Sequence, residues 1–282
     1  MPAFRKILCA IDFSKFSLNA LRYSALIARE FRSRLIILHC VAEIPGPSDV
    51  DPYGPKELYE DLSRLSKTQL DSLVSKILPA EIRTTRMVRV GYPSEIILRV
   101  AQVEDADLIV MGSHGRAGFE RFLAGSVTSK VLLKSIVPVL VCHPSNPFKV
   151  LGDQKLNVET ILCPIDFGKQ SERIRDLALS IAKDFQAKLI FLHVLSVSAK
   201  GKKLTQLNKL KTFIGSPDAE CILESGDVTE KILEQLEKRA IRLVIIGHHT
   251  QIPLVENFLG SVARRIVSES PCPVLIERSR KL

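Results

Sequence analysis

Residues 7–12 read ILCAID, and residues 161–166 read ILCPID. Residues 35–39 are LIILH and residues 189–193 are LIFLH, at the same offset of 154 positions. Further along, Gly91 matches Gly226, DLIVMG at 107–112 matches RLVIIG at 242–247, and AGSV at 124–127 matches LGSV at 259–262. VPVLV at 137–141 then matches CPVLI at 272–276, and all these later pairs are 135 positions apart. Matches in constant order at fixed offsets mark an internal duplication. One copy is 19 residues longer, and the excess lies between LIILH and Gly91. The junction falls near Ser145–Leu156, so the expected domains are 1–145 and 156–282.

Each copy has the same rhythm. A short β-branched apolar run at 5–11 ends in an aspartate, and a helical pattern follows Ser14–Ser17. Ala20, Tyr23, Ile27 and Phe31 share one helical face, and Ile174, Leu177, Ile181 and Phe185 occupy the matching face of the second copy. The spacing then predicts a strand at 34–41, a helix, a strand at 85–90, a helix at 93–103, a strand at 107–111, a helix at 126–135 and a last strand at 137–142. Strands alternating with helices imply parallel βαβ units. Central runs apolar on both faces fit a sheet covered by helices on each side. The fold class is therefore α/β: two tandem, doubly wound, five-stranded parallel-sheet domains.

Composition narrows the function classes. The apolar stretch from Ile7 to Ile11 is too short for a secretory signal. Runs such as Leu35–Leu38 and Val137–Cys142 fall far short of the roughly 20 residues of a membrane helix. The expectation is a cytoplasmic protein that binds no membrane. Six cysteines (Cys9, Cys40, Cys142, Cys163, Cys221, Cys272) contain no C-x-x-C pair, which suits reduced thiols. The net charge of +9 is spread evenly, with 20 Lys/Arg against 15 Asp/Glu in residues 1–150 and 20 against 16 in the rest. No basic run with interleaved aromatics marks a nucleic-acid binder.

Residues 112–126, GSHGRAGFERFLAGS, follow the fourth strand of the first copy. Gly112 and Gly115 sit where a strand meets a turn, and Gly125–Ser126 precede the helical segment VTSKVLLKS. Glycine lets backbone N–H groups approach a phosphate, and a helix N-terminus adds unpaired donors and the positive end of the helix dipole. In open α/β sheets ligands bind beyond the carboxyl ends of the strands, where strand order reverses. If the first and fourth strands are neighbours, Asp12 faces this loop across the crevice. No G-x-x-x-x-G-K-[ST] loop, no G-x-G-x-x-G after a strand and no G-x-S-x-G elbow occurs.

The pattern G-x-x-G, nine residues, then G-[ST], flanked by an apolar strand and by S-V-T and P-V-L-V, resembles the universal stress protein family. The resemblance covers nearly the whole chain, twice, and Gly112–Ser126 match the family's ATP-binding motif completely. It implies an adenine nucleotide alpha hydrolase-like, Rossmann-like fold and a bound adenine nucleotide: ATP, ADP or AMP, with Mg²⁺ or Mn²⁺ as a companion ion. By the resemblance Asp12 and Val41 would contact the adenosine. Gly112, His114, Gly115, Gly125, Ser126 and Val127 would line the phosphates, and Ala10, Ile11 and Met111 would form the pocket wall. Family members pair through their last strands, and tandem members build that dimer within one chain as an internal pseudo-dimer. Pro138 and Pro273 at the starts of those strands suit an edge position. A further homodimer through edge strands, and protein partners, stay open.

The second copy reads GHHTQIPLVENFLGS, so Thr250 stands in place of Gly115 and Gln251 in place of Arg116. A β-branched residue is costly at positive φ. Asp166, Leu195, Gly247, Gly260 and Ser261 remain as a second candidate set, expected to bind nucleotide weakly, differently or not at all. Plainer readings stand beside these. Ser126 is a candidate N-cap. Asp12 either caps the first helix or touches ligand. His114 either donates to a phosphate through its ring or offers only its backbone N–H, with its side chain expected in solvent. His39 with Cys9, and His193 with Cys163, read as satisfied core residues rather than as metal sites, as does His248–His249. Cys142 and Cys272 read as buried thiols. The stretch Ile44–Pro55 reads as a solvated loop or as a lid over nucleotide. No metal site made by protein alone and no catalytic set is expected. Phosphoryl transfer wants a positioned base and a metal carboxylate, and the loop offers only Glu120. The leading function is an ATP-binding regulatory or stress-response protein; a slow ATPase and a scaffold with empty sites are the alternatives.

Overall fold

The computed structural model describes residues 4–43, 56–113, 125–143, 158–168, 171–195, 203–248 and 259–277. The first half contains β1 (Lys6–Ile11), α1 (Lys15–Phe31), β2 (Arg34–Val41), α2 (Lys56–Ile77), β3 (Thr84–Val90), α3 (Pro93–Val103), β4 (Leu108–Gly112), α4 (Ser126–Lys134) and β5 (Val139–Cys142). The second contains β6 (Thr160–Pro164), α5 (Ser171–Phe185), β7 (Lys188–Leu195), α6 (Lys203–Ile214), β8 (Glu220–Ser225), α7 (Val228–Lys238), β9 (Leu243–Gly247), α8 (Ser261–Glu269) and β10 (Val274–Glu277).

The strands form one sheet in the order β3-β2-β1-β4-β5-β10-β9-β6-β7-β8. Within each half every pairing is parallel, and β5 meets β10 antiparallel. Each half is thus a doubly wound five-stranded sheet, and the halves join through their last strands, as the resemblance implied. The edge that Pro138 and Pro273 begin is consumed at this seam.

At the seam Leu140 lies opposite Leu275, and these are equivalent residues of the two copies. Phe31 packs edge-on against Phe185 at 5.1 Å, and these are equivalent too. Residues that meet their own counterparts lie about a local two-fold axis, the signature of an isologous interface.

Strand side chains alternate between two apolar layers. Ile7, Cys9, Leu35, Ile37 and Val110 pack with Ala20, Leu21, Leu70 and Val74 of α1 and α2. Leu8, Ile36, Leu38 and Ile109 pack with Ile97, Val131 and Leu132 of α3 and α4. Both layers run on through the seam into the second half. Fully burying one such side chain contributes about 1.5–3 kcal/mol, so the core rather than helix propensity holds the layers together.

Local signals set the element ends. Ser14, in extended conformation, caps α1 by accepting from Ser17 N, and Arg32 closes the helix at φ 54. Pro93 starts α3. Gly91 and Gly226 take φ 140 and φ 135 at the corner before α3 and α7, which explains why this glycine recurs. The extra length of the first copy falls partly in α2, which has 22 residues against 12 in α6.

Candidate functional site

β1 pairs with β2 on one side and β4 on the other, so the strand order reverses between β1 and β4. This is the switch point where an α/β sheet leaves a crevice at its carboxyl ends. Ala10, Ile11 and Asp12 leave β1 there, Met111 and Gly112 leave β4, and Val41 closes β2. Ala10, Ile11, Val41 and Met111 are buried. Gly125, Ser126 and Val127 open α4 beside the same strand ends. His114 and Gly115 lie outside the described residues, as do Glu120, Thr250, His249 and the segment Ile44–Pro55.

The Asp12 turn is built tightly. The Asp12 carboxylate accepts from Ser14 N at 3.0 Å, and Asp12 N donates to Ser17 Oγ at 3.2 Å. Between them Phe13 takes φ 65, which an aromatic residue rarely adopts. Its ring lies 4.5 Å from that of His39. His39 Nδ1 donates to Ile11 O at 2.9 Å, which fixes the proton on Nδ1 in the neutral ring. The second half repeats the turn, with its serine bonded to the aspartate carboxylate instead of the backbone amide. Asp166 accepts from Gly168 N at 2.9 Å and Ser171 Oγ at 2.8 Å, Phe167 takes φ 63, and His193 Nδ1 donates to Ile165 O at 2.7 Å. The two histidines are therefore satisfied supports of the turn. Phe13 and Phe167 were missed from the sequence, although the repeated Asp-Phe pair was visible.

The glycine corner has two separate jobs. A Cβ on Gly112 would come within 2.8 Å of Phe16 Cβ and 2.9 Å of its carbonyl carbon. Gly112 is thus needed for the approach of α1 to β4, whatever the crevice holds. Gly125 N donates to Ser113 O at 2.7 Å, so the two ends of the 114–124 segment are tied together. Thr128 Oγ1 donates to Gly112 O at 2.9 Å, and Ser113 N donates to Cys142 O at 3.0 Å. Ser113 and Thr128 are further site supports that motif reading did not single out.

Gly125, not Ser126, is the N-cap of α4. It has φ −49 and ψ 152, and no side chain caps the helix. Ser126 is the first helical residue, because the chain reaches helical geometry one position earlier than a serine cap requires. The first turn of α4 also holds no acidic residue. An N-terminus without a side-chain cap or a carboxylate presents backbone donors and a positive dipole end to an anion.

The second half keeps this backbone and changes its chemistry. Gly260 caps α8 with φ −52, ψ 147 and no side-chain cap. Asp166, Leu195, Gly247 and Ser261 hold the positions of Asp12, Val41, Gly112 and Ser126. Ala263 replaces Thr128, however, and cannot tie the helix to Gly247. Glu277 stands where Cys142 stands, is 3% exposed, and pairs with Arg173 Nε at 2.5 Å. Arg173 in turn replaces Asn19, whose Nδ2 donates to His143 O at 2.5 Å. A charge pair thus replaces a neutral amide contact beneath the second crevice.

Four of the six thiols, Cys9, Cys142, Cys163 and Cys272, are shielded by burial. Cys9 and Cys142 are buried, and burial pushes the Cys9 thiol up to about 12 and Cys142 well above the usual thiol range. Cys272 is pushed up to about 11 by burial. Among the described residues no group of three His, Cys, Asp or Glu side chains could hold a metal ion, and no helix is long and apolar enough to cross a membrane.

A model of the universal stress protein family matches residues 3–143 and 199–278. A universal stress protein of Methanocaldococcus jannaschii is 28% identical over 157 residues, covering 51% of this chain and 97% of its own. Another, from Mycolicibacterium smegmatis, is 24% identical over 292 residues and covers 97% of both chains. The crystal structure of a universal stress protein from Archaeoglobus fulgidus matches with a TM-score of 0.73 at 24% identity, over 97% of this chain and 98% of that one. That likeness extends the shared fold across both halves. With the same family model matching in each half, the chain belongs to the universal stress protein family.

Proposed function

We infer that the protein binds an adenine nucleotide, ATP foremost, mainly in the first half, and uses occupancy as a regulatory signal in a stress response. The observation that carries this reading is the convergence of the Asp12 turn, the Gly112 corner and the uncapped N-terminus of α4 at one strand-order reversal. The adenosine would lie against Ala10, Ile11, Asp12, Val41 and Met111. The phosphates would face the backbone of Gly112, His114, Gly115, Gly125, Ser126 and Val127. A divalent ion would arrive on the phosphates rather than on a protein cage. The two domains are read as 1–145 and 156–282, with the second crevice weak, altered or empty.

The test is to denature freshly purified protein, identify the released small molecules by chromatography, and titrate the emptied protein with ATP and Mg²⁺ by calorimetry. About one nucleotide per chain, lost in Gly115→Val, is the expected result. ADP in place of ATP would move slow hydrolysis forward. No released nucleotide and no calorimetric response would leave the fold intact and overturn this function in favour of a scaffold.

A further inference from the structure

Helix α2 carries two apolar stripes. Tyr59, Ser63 and Ser66 are half-buried and continue the face on which Leu70 and Val74 are buried in the core. Leu58, Leu62 and Leu65 form the second stripe and are 49%, 37% and 68% exposed. At 3.6 residues per turn the second ridge lies about a quarter turn round from the first. Its spacing of four and then three residues is that of a helix–helix seam.

Two of the three ridge leucines, Leu58 and Leu62, belong to the part of α2 that has no counterpart in α6. Leu70 and Leu210 are both fully buried, as are Val74 and Ile214, and aligning them sets the start of α6 at Lys203 opposite Ser63. Residues 56–62 are therefore the surplus. α6 shows a lone exposed leucine, Leu204, at 73%. The core does not call for two extra turns bearing leucines on their outer side.

We propose that this ridge is a self-association surface, on which α2 of a second copy of the chain packs antiparallel about a two-fold axis near Leu62. The charges favour a copy of the same helix. Asp61 and Arg64 lie together on one flank of the ridge, 3.5 Å apart. A two-fold axis near Leu62 places Leu62 on its counterpart and Leu58 on Leu65 of the other copy. The same operation carries each Asp61 to the other Arg64, so the flank is complementary to itself. Three leucines a side offer far less than the roughly 800 Å² per partner of a standard interface. The association is accordingly reversible and concentration-dependent, and it is separate from the β5–β10 seam inside the chain.

Sedimentation of the full chain over a wide concentration range, with Leu62→Cys crosslinking, tests it. The expected result is a monomer–dimer equilibrium that Leu62→Glu shifts to monomer. Leu62→Cys should form a covalent dimer under mild oxidation at least ten times faster than Leu204→Cys. Asp61→Arg should weaken the dimer, and adding Arg64→Asp should restore it. A chain monomeric at every concentration overturns the proposal. In that case a protected Leu62→Cys thiol would mean that residues 44–55 cover the ridge, and a reactive one that another protein does. Failure of the charge-swapped double variant to restore the dimer overturns the antiparallel register. None of these readouts depends on nucleotide, so their failure leaves the proposed function standing.

Discussion

The two halves share a backbone and differ in what they place beneath the crevice. Both hold the strand-end aspartate in a turn with a left-handed phenylalanine and a histidine support. Both start the helix after the crevice on a glycine without a side-chain cap. Yet the first half seats a neutral amide, Asn19, and a thiol where the second seats Arg173 and Glu277. The lesson is that motif residues such as Asp166 and Gly260 have structural jobs, so their presence in the second half does not by itself mark a second binding site.

The largest effect should come from the charge pair that divides the halves. Arg173→Ala would remove the guanidinium that faces the buried Glu277 carboxylate. Removing one partner of a buried pair costs about 3–5 kcal/mol, discounted here towards ~2–3 because Arg173 is 46% exposed. Asn19→Ala in the first half should cost about 1–2 kcal/mol through one lost buried hydrogen bond. Urea denaturation of both variants checks the ranking. Near-neutral behaviour of the double variant Arg173→Met/Glu277→Leu would confirm that the buried carboxylate, once it loses this cation, carries the cost.

Next comes the contrast between two glycines of the first half. Gly112→Ala forces a Cβ onto the Phe16 backbone, and overpacking of that kind costs ~1–3 kcal/mol. Gly125 has φ −49, open to any residue, so Gly125→Ala should cost under about 1 kcal/mol. Unfolding without nucleotide separates a glycine the fold needs from one the ligand needs. Equal losses would break the distinction.

Gly125→Asp then compares the crevices directly. A carboxylate at the N-cap supplies α4 with its missing cap and repels phosphate. Nucleotide affinity should fall at least ~30-fold, about 2 kcal/mol, with stability unchanged or raised. Gly260→Asp should leave calorimetric binding as it was. A matching loss there would make the second half a working site.

Much of this was legible from the chain. The 34–41 strand and the 93–103 helix match β2 and α3 end to end, because periodicity and Pro93 are local signals. The strand ends and the glycine corner beside them were legible because the duplication displayed them twice. The left-handed Phe13, the Phe16 approach to Gly112 and the Arg173–Glu277 pair were not legible. Each depends on which distant segments touch, and hydrophobic periodicity carries no such information. Of the two readings open for Ser126, the N-cap falls to Gly125 instead, because serine's preference for that position is only a tendency and glycine satisfies the same geometry.

The smallest difference between the halves is one hydroxyl. Thr128 Oγ1 donates to Gly112 O at 2.9 Å in the first half, and Ala263 offers nothing in the second. Thr128→Ala should cost about 1 kcal/mol, since it leaves a strand-end carbonyl without this donor. Ala263→Thr should gain ~0.5–1 kcal/mol if the second corner has the same geometry. Both would be measured as shifts in denaturant midpoint at unchanged slope. A gain from Ala263→Thr with no rise in nucleotide affinity would show that the hydroxyl fixes the helix start alone, and that the halves diverged in what they bind for reasons located in the loop and in the charge pair.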